Sequence, residues 1–166
     1  MSPRGVATAA PAPALERAGE RLTARGVTFV VPAYDEEDGI AGVVERLSGL
    51  ALGVPVEILV VDDGSSDGTA AVLERIKPRF PALEVVRHAR NKGYGAALKT
   101  GFARARHEVV VITDADGTYP EQKIGELLAC VDDGAEMAVG ARVGPESRDP
   151  RELEHFLRRV VRTLCA

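Results

Sequence analysis

The 166-residue chain has no tryptophan, three tyrosines and four phenylalanines. The exposed aromatic platforms on which a carbohydrate-binding module stacks sugars are therefore scarce. Charge of one sign is also missing: 21 Lys and Arg against 25 Asp and Glu leave a net −4, which excludes the basic balance of a nucleic-acid binder. The two cysteines, Cys130 and Cys165, lack metal-ligand spacing and read as reduced thiols rather than a disulfide framework. No apolar run approaches the ~20 residues of a membrane-spanning helix, and the N-terminus lacks the apolar core of a signal peptide. The expectation is a cytoplasmic chain, with contact to a membrane surface left open.

What is present is an alternation. Residues 1–25, rich in Ala, Pro and Arg, read as a disordered leader, helical at most from Pro13 to Ala24 because Pro11 and Pro13 break anything earlier. From Val27 onward short, β-branched, unalternating runs appear at 27–31, 56–61, 83–86, 109–112 and 137–140. Strands buried on both faces look like this. Helical candidates fill the gaps at 38–50, 67–79, 95–106, 120–132 and 150–165, with Asp67 and Pro120 placed as helix-start residues. The alternation predicts a single doubly wound α/β domain over 26–166, its sheet mostly parallel with helices on both faces. Ligands of such sheets bind beyond the carboxyl ends of the strands, so the polar residues after each run are the candidates.

The first run ends in Pro32-Ala33-Tyr34-Asp35-Glu36-Glu37. Pro32 has no N–H to give a ladder and is expected to end the strand. Tyr34 and Glu36 offer a flat face, a hydroxyl and an acceptor pair suited to a base and a ribose; the plain alternative is an acidic turn capping the next helix. The second run ends in Asp62-Asp63-Gly64-Ser65-Ser66-Asp67. Adjacent carboxylates at a buried strand end repel and call for a cation, a donor cluster or a ligand. The acidic pair is assigned to function, and Ser66 or Asp67 to a helix cap. The fourth run ends in Thr113-Asp114-Ala115-Asp116-Gly117-Thr118. Residues two apart in an extended segment point the same way, so Asp114 and Asp116 form a hard-oxygen pair fit for Mg²⁺ or Mn²⁺ with diphosphate oxygens completing the shell. An Asx turn is the alternative.

Three other patterns fall short. Asp114 to Thr118 spells the opening motif of a dehalogenase-type phosphatase with Asp114 as nucleophile, but three strands precede it and no later acidic motif follows. Gly93 to Thr100 nearly spells a P-loop, yet Leu98 stands where the second glycine must be. The same Leu98 defeats a G-x-G-x-x-G reading. A phosphoacceptor domain using Asp62 and Asp63 would want a lysine after its last strand.

In their order, VPAYDEEDGI, VVDDGSSDGT, NKGYGAALKTGFARA, TDADGTYP and VGAR resemble the inverting family-two glycosyltransferases, most of all the dolichyl- or polyprenyl-phosphate sugar transferases. The resemblance runs from about Val27 to Arg162 and implies a GT-A-type, Rossmann-like fold. By position it places Pro32, Tyr34, Glu36, Val61, Asp63, Asp114, Ala115 and Asp116 around the nucleotide sugar, UDP- or GDP-linked. It puts a divalent metal on Asp114 and Asp116, and counts Asp114, Asp116, Arg142 and Arg158 as the catalytic set. It gives Asn91 and Gly93 the pocket wall. In this resemblance Arg142 faces the diphosphate or the acceptor phosphate and Arg158 is a basic position near the transferred group; as bare residues, Arg142 reads equally as a surface cation and Arg158 as part of a solvated face. Two departures stand out. Thr118 occupies a position where some relatives place a metal-ligating Gln, and relatives continue past the position of Ala166 through a further strand and helix. The implied activity is inverting transfer of a sugar to a polyprenyl phosphate. The alternatives kept open are a non-catalytic nucleotide-sugar-binding fragment and a partner subunit that completes the site. A last helix with Phe156, Leu157, Val160, Val161 and Leu164 between Arg158, Arg159 and Arg162 fits a membrane surface or a packed terminal helix.

Overall fold

The computed structural model describes residues 25–140. The apolar runs become four strands: β1 (Val27–Ala33), β2 (Val56–Asp62), β3 (Leu83–Arg87) and β4 (Val109–Ile112). They form one parallel sheet in the order β3-β2-β1-β4. Between them run α1 (Ile40–Ser48), α2 (Thr69–Ile76) and α3 (Tyr94–Arg104), and α4 (Ile124–Asp132) follows β4. Short 3-10 turns at Lys77–Arg79 and Glu121–Lys123 border α2 and α4.

Each helix is held by one stripe. In α1 this is Ile40, Val43, Val44 and Leu47, and in α2 Thr69, Val72, Leu73 and Ile76, both at the i, i+3, i+4, i+7 spacing of a packed face. These stripes join Ile124 and Leu128 of α4 and one side of the sheet, Val27, Phe29, Val31, Ile58 and Val60, in a single buried cluster. Phe29 is fully buried there, and truncating such a side chain costs about 3–5 kcal/mol. On the opposite face α3 lies against β1 so closely that a Cβ on Gly101 would collide with Val30. The centre of the sheet is thus covered on both sides, which is why all seven residues of β1 are buried and its sequence shows no alternation.

Two expectations are corrected. Pro32 does not end β1; the strand runs on through Ala33, with Pro32 opposite Val61. In a parallel ladder successive residues bond alternate neighbours. The Val30 carbonyl accepts from Thr113 on the β4 side, and the Ala33 carbonyl accepts from Asp63 on the β2 side. Pro32 therefore turns its missing N–H toward β4, whose pairing has stopped at Val30–Ile112. The second correction concerns residues 137–140, which form no strand. Met137 and Val139 are exposed there, and the run meets no neighbouring ladder among the described residues. The 1–25 leader (but for Arg25), the 150–165 helix, Arg142 and Arg158 lie outside the described residues.

Candidate active site

The sheet changes direction between β1 and β4: the chain builds outward to β2 and β3 on one side and adds β4 on the other. Beyond that switch point the strand ends part. The gap is a crevice of about 380 Å³ lined by Pro32, Tyr34, Glu36, Asp63, Asp114, Asp116 and their neighbours.

The loop after β1 divides its side chains between the crevice and the neighbouring loop. Tyr34 and Glu36 line the crevice, while Asp35 and Glu37 turn to the loop after β2. Asp35 sits at φ 54°; its carboxylate accepts from the Ser66 amide at 2.8 Å, and its amide donates to the Ser65 hydroxyl at 3.0 Å. The Glu37 carboxylate accepts from the Gly68 amide at 2.7 Å, and the Glu36 amide donates to the Thr69 hydroxyl at 2.8 Å. The two loops are laced together, so Tyr34 and Glu36 stand on a fixed support. Asp67 serves the start of α2 as expected, accepting from the Thr69 amide at 2.9 Å.

The acidic pair after β2 is engaged by donors of its own chain. Asp62, 0% exposed, accepts from the Ser65 amide at 2.8 Å and faces the Arg87 guanidinium at 3.1 Å. That contact is an ion pair without good hydrogen-bond direction, since the same oxygen has no hydrogen-bonding partner. Asp63, 3% exposed, accepts from the His88 ring at 2.6 Å and from the Lys92 and Gly93 amides at 3.0 and 2.7 Å. It borders the crevice as an anchor for the 88–93 loop. Gly93 starts α3 at φ 90°, a conformation that favours glycine, and its amide also donates to the Asn91 carboxamide oxygen at 2.9 Å. Asn91 and Gly93 line the wall, as the resemblance implied.

The pair after β4 differs. Ala115 is buried in the core cluster and Asp114 and Asp116 flank it on the crevice side, with 115–116 in a turn rather than the extended segment expected. Asp114 accepts from the Tyr94 hydroxyl at 3.1 Å, and Asp116 accepts from the Thr118 amide at 2.9 Å; the Asx turn is present as well. Among the described residues no Lys, Arg or His pairs with Glu36, Asp114 or Asp116. The Glu36 carboxyl is held above the ordinary 4.5, first by partial burial and then by the negative charge of Asp116, Asp114 and Asp67. The Tyr94 phenol is pushed up, by burial first and then by Asp114, so it remains a donor at neutral pH.

The donor set fits a divalent cation: hard oxygens with uncompensated charge facing open space. No three acidic, His or Cys groups among the described residues could hold an ion alone. An ion on Asp114 and Asp116 therefore needs oxygens from its ligand, a habit of Mg²⁺ with phosphates.

Of the expected site residues, Pro32, Tyr34, Glu36, Asp63, Asp114, Ala115 and Asp116 line the crevice together. Val61 does not; it is fully buried in β2 beside Pro32. Sequence reading missed Tyr94, Ala97 and His88. His88 follows the third run, where the strand-end rule applied as well as elsewhere, and Tyr94 follows the Asn91–Gly93 turn directly.

The glycosyl transferase family 2 model matches residues 28–162. The chain belongs to this family. It is 38% identical over 120 residues to polyprenol monophosphomannose synthase of Mycolicibacterium smegmatis, covering 70% of this chain and 44% of that protein. It is 31% identical over 116 residues to dolichol-phosphate mannosyltransferase of Pyrococcus furiosus, covering 70% and 33%. Among solved structures, the mannosyltransferase PcManGT from Pyrobaculum calidifontis, in complex with GDP-Man and Mn²⁺, superposes with a TM-score of 0.58 at 30% identity, covering 89% of this chain and 46% of that one. The chain spans less than half the length of these relatives. Family 2 membership and these neighbours make the parallel sheet a GT-A fold, and they replace the dehalogenase-type phosphatase alternative. Among the described residues no helix is long and apolar enough to cross a membrane.

Proposed function

We propose that residues 26–166 form the nucleotide-sugar-binding domain of a glycosyltransferase that moves a sugar from a UDP- or GDP-linked donor to a polyprenyl phosphate, with inversion. The observation that carries this is the contrast within the crevice: Asp63 is tied down by its own chain, while Glu36, Asp114 and Asp116 border the crevice with no Lys, Arg or His paired to them among the described residues. The relatives named for polyprenol and dolichol phosphate support the acceptor class, and the neighbour holding GDP-Man and Mn²⁺ supports the donor and the metal.

Asp114 and Asp116 would hold Mg²⁺ or Mn²⁺. When bound, that ion supplies Lewis-acid neutralisation of the charge on a departing nucleoside diphosphate. Tyr34, with its ring exposed, offers a stacking face for the base, and Glu36 accepts hydrogen bonds from ribose hydroxyls. Tyr94 keeps Asp114 oriented by its hydroxyl. A phosphate acceptor is already anionic at neutral pH, so the chain needs no strong general base. Arg142 and Arg158 would bind and orient that phosphate. Such an acceptor places the protein peripherally at the cytoplasmic membrane face; a partner subunit is compatible with the same site.

Titration calorimetry with UDP and GDP in the presence of Mn²⁺ or of a chelator tests the donor site, and transfer of radiolabelled sugar to polyprenyl phosphate tests the activity. Metal-dependent binding with transfer is expected. Binding indifferent to metal refutes the metal site, and binding without transfer reduces the chain to a nucleotide-sugar-binding fragment.

A further inference from the structure

We infer that His88 is a positioning residue for the donor crevice: it fixes the Asp63 carboxylate, and through it the Lys92–Gly93 wall. The ligand in the test rests on the function proposed above; the wall itself is a property of the free protein.

His88 leaves β3 with its amide donating to the Asp62 carbonyl at 2.9 Å. Its ring is buried between two partners, Asp63 Oδ1 at 2.6 Å from Nδ1 and Thr100 Oγ1 at 2.9 Å from Nε2. An ionised carboxylate only accepts, so Nδ1 carries the proton. Asp63 receives two further donors, the Lys92 amide at 3.0 Å and the Gly93 amide at 2.7 Å. The carboxylate is therefore a hub joining the end of β3, the crevice wall and, through the imidazole, helix α3. The ring's bond is the shortest of the three and the only one from a side chain. Without it the carboxylate keeps only the Lys92 and Gly93 amides, the two groups it serves to fix, and loses its tie to α3. The backbone of Gly93, at φ 90°, is held at its amide by this acceptor and the Asn91 carboxamide, and at its carbonyl by the Ala96 and Ala97 amides.

Two substitutions separate the ends of the ring. In His88→Asn the carboxamide nitrogen stands where Nδ1 stood and keeps the bond to Asp63. In His88→Gln it stands where Nε2 stood and serves Thr100 instead. The readouts are amide exchange at Gly93 in the free protein, compared with β1 amides, and the Kd of UDP and GDP with Mn²⁺. His88→Gln should speed Gly93 exchange while β1 exchanges as in the wild type, and should weaken nucleotide binding about tenfold, the worth of one charge-assisted bond. His88→Asn should stay within about threefold of wild type in both, as should Thr100→Val. His88→Ala serves as a second loss variant should His88→Gln fold poorly. Unchanged Gly93 exchange in the loss variants, or His88→Asn as impaired as His88→Gln, overturns the inference. A wild-type chain that binds neither nucleotide refutes the proposed function and leaves the exchange comparison to decide this one.

Discussion

The chain leaving β2 carries Asp62 and Asp63; the chain leaving β4 carries Asp114 and Asp116. Both pairs follow apolar strands at the same end of the sheet. Adjacent residues in a strand point to opposite faces, so Asp62 and Asp63 each enter packed surroundings and each gather donors: Ser65 and Arg87 for one, His88, Lys92 and Gly93 for the other. Asp114 and Asp116, two apart across a turn at 115–116, both border the crevice while Ala115 between them packs into the core. The contrast is between a pair held by donors of its own chain and a pair whose carboxylates border the crevice.

The sharpest way to break this contrast is Asp116→Ala. It should lower Mn²⁺-dependent nucleotide binding by about 100-fold or more, since losing even a group that supports a metal ligand costs about 10–100-fold, with the urea midpoint unchanged; calorimetry and urea melts check it together. Next comes Asp62→Ala, expected to show the reverse pattern. It strips a fully buried acceptor from Ser65 and Arg87 and should cost about 2–3 kcal/mol in urea unfolding. An Asp62→Ala chain as stable as the wild type would erase the distinction between the two pairs. The smallest expected effect belongs to Glu36. Its carboxyl is raised above 4.5 by burial and by Asp116 and Asp114. Between 4.5 and that raised value the folded chain binds the proton more tightly than the unfolded one, so this group's contribution favours folding at acid pH and declines as pH rises through the window. Glu36→Gln should flatten that slope and raise stability near neutrality by less than the Asp62 effect; melts from pH 4 to 7 read it. Mn²⁺ binding to the wild type should weaken over the same acidic window as the site neutralises.

The four strands and the spacing of the Asp114–Asp116 pair were legible because both depend on local pattern: a continuous apolar run, and a spacing of two. The use of Asp63 was not, because its donors sit 25 to 30 residues away and arrive only when β3 and α3 have packed. The path of β1 through Pro32 was hidden for a related reason. Whether a strand proline is harmful depends on which neighbour its nitrogen faces and how far that neighbour extends, and neither is written in the local sequence. At 137–140 the composition suits a strand, but a strand also needs a ladder beside it, which composition does not supply.

Pro32 then acts as the end-stop on a zip fastener. With any other residue, an amide at this point would reach for the Thr113 carbonyl and draw the two edges shut by one more tooth, straight across the mouth where Asp114 emerges. A ring nitrogen with nothing to donate keeps the last teeth apart at no cost to β2 on the other side. The opening is built into the covalent chain, ready before any guest arrives.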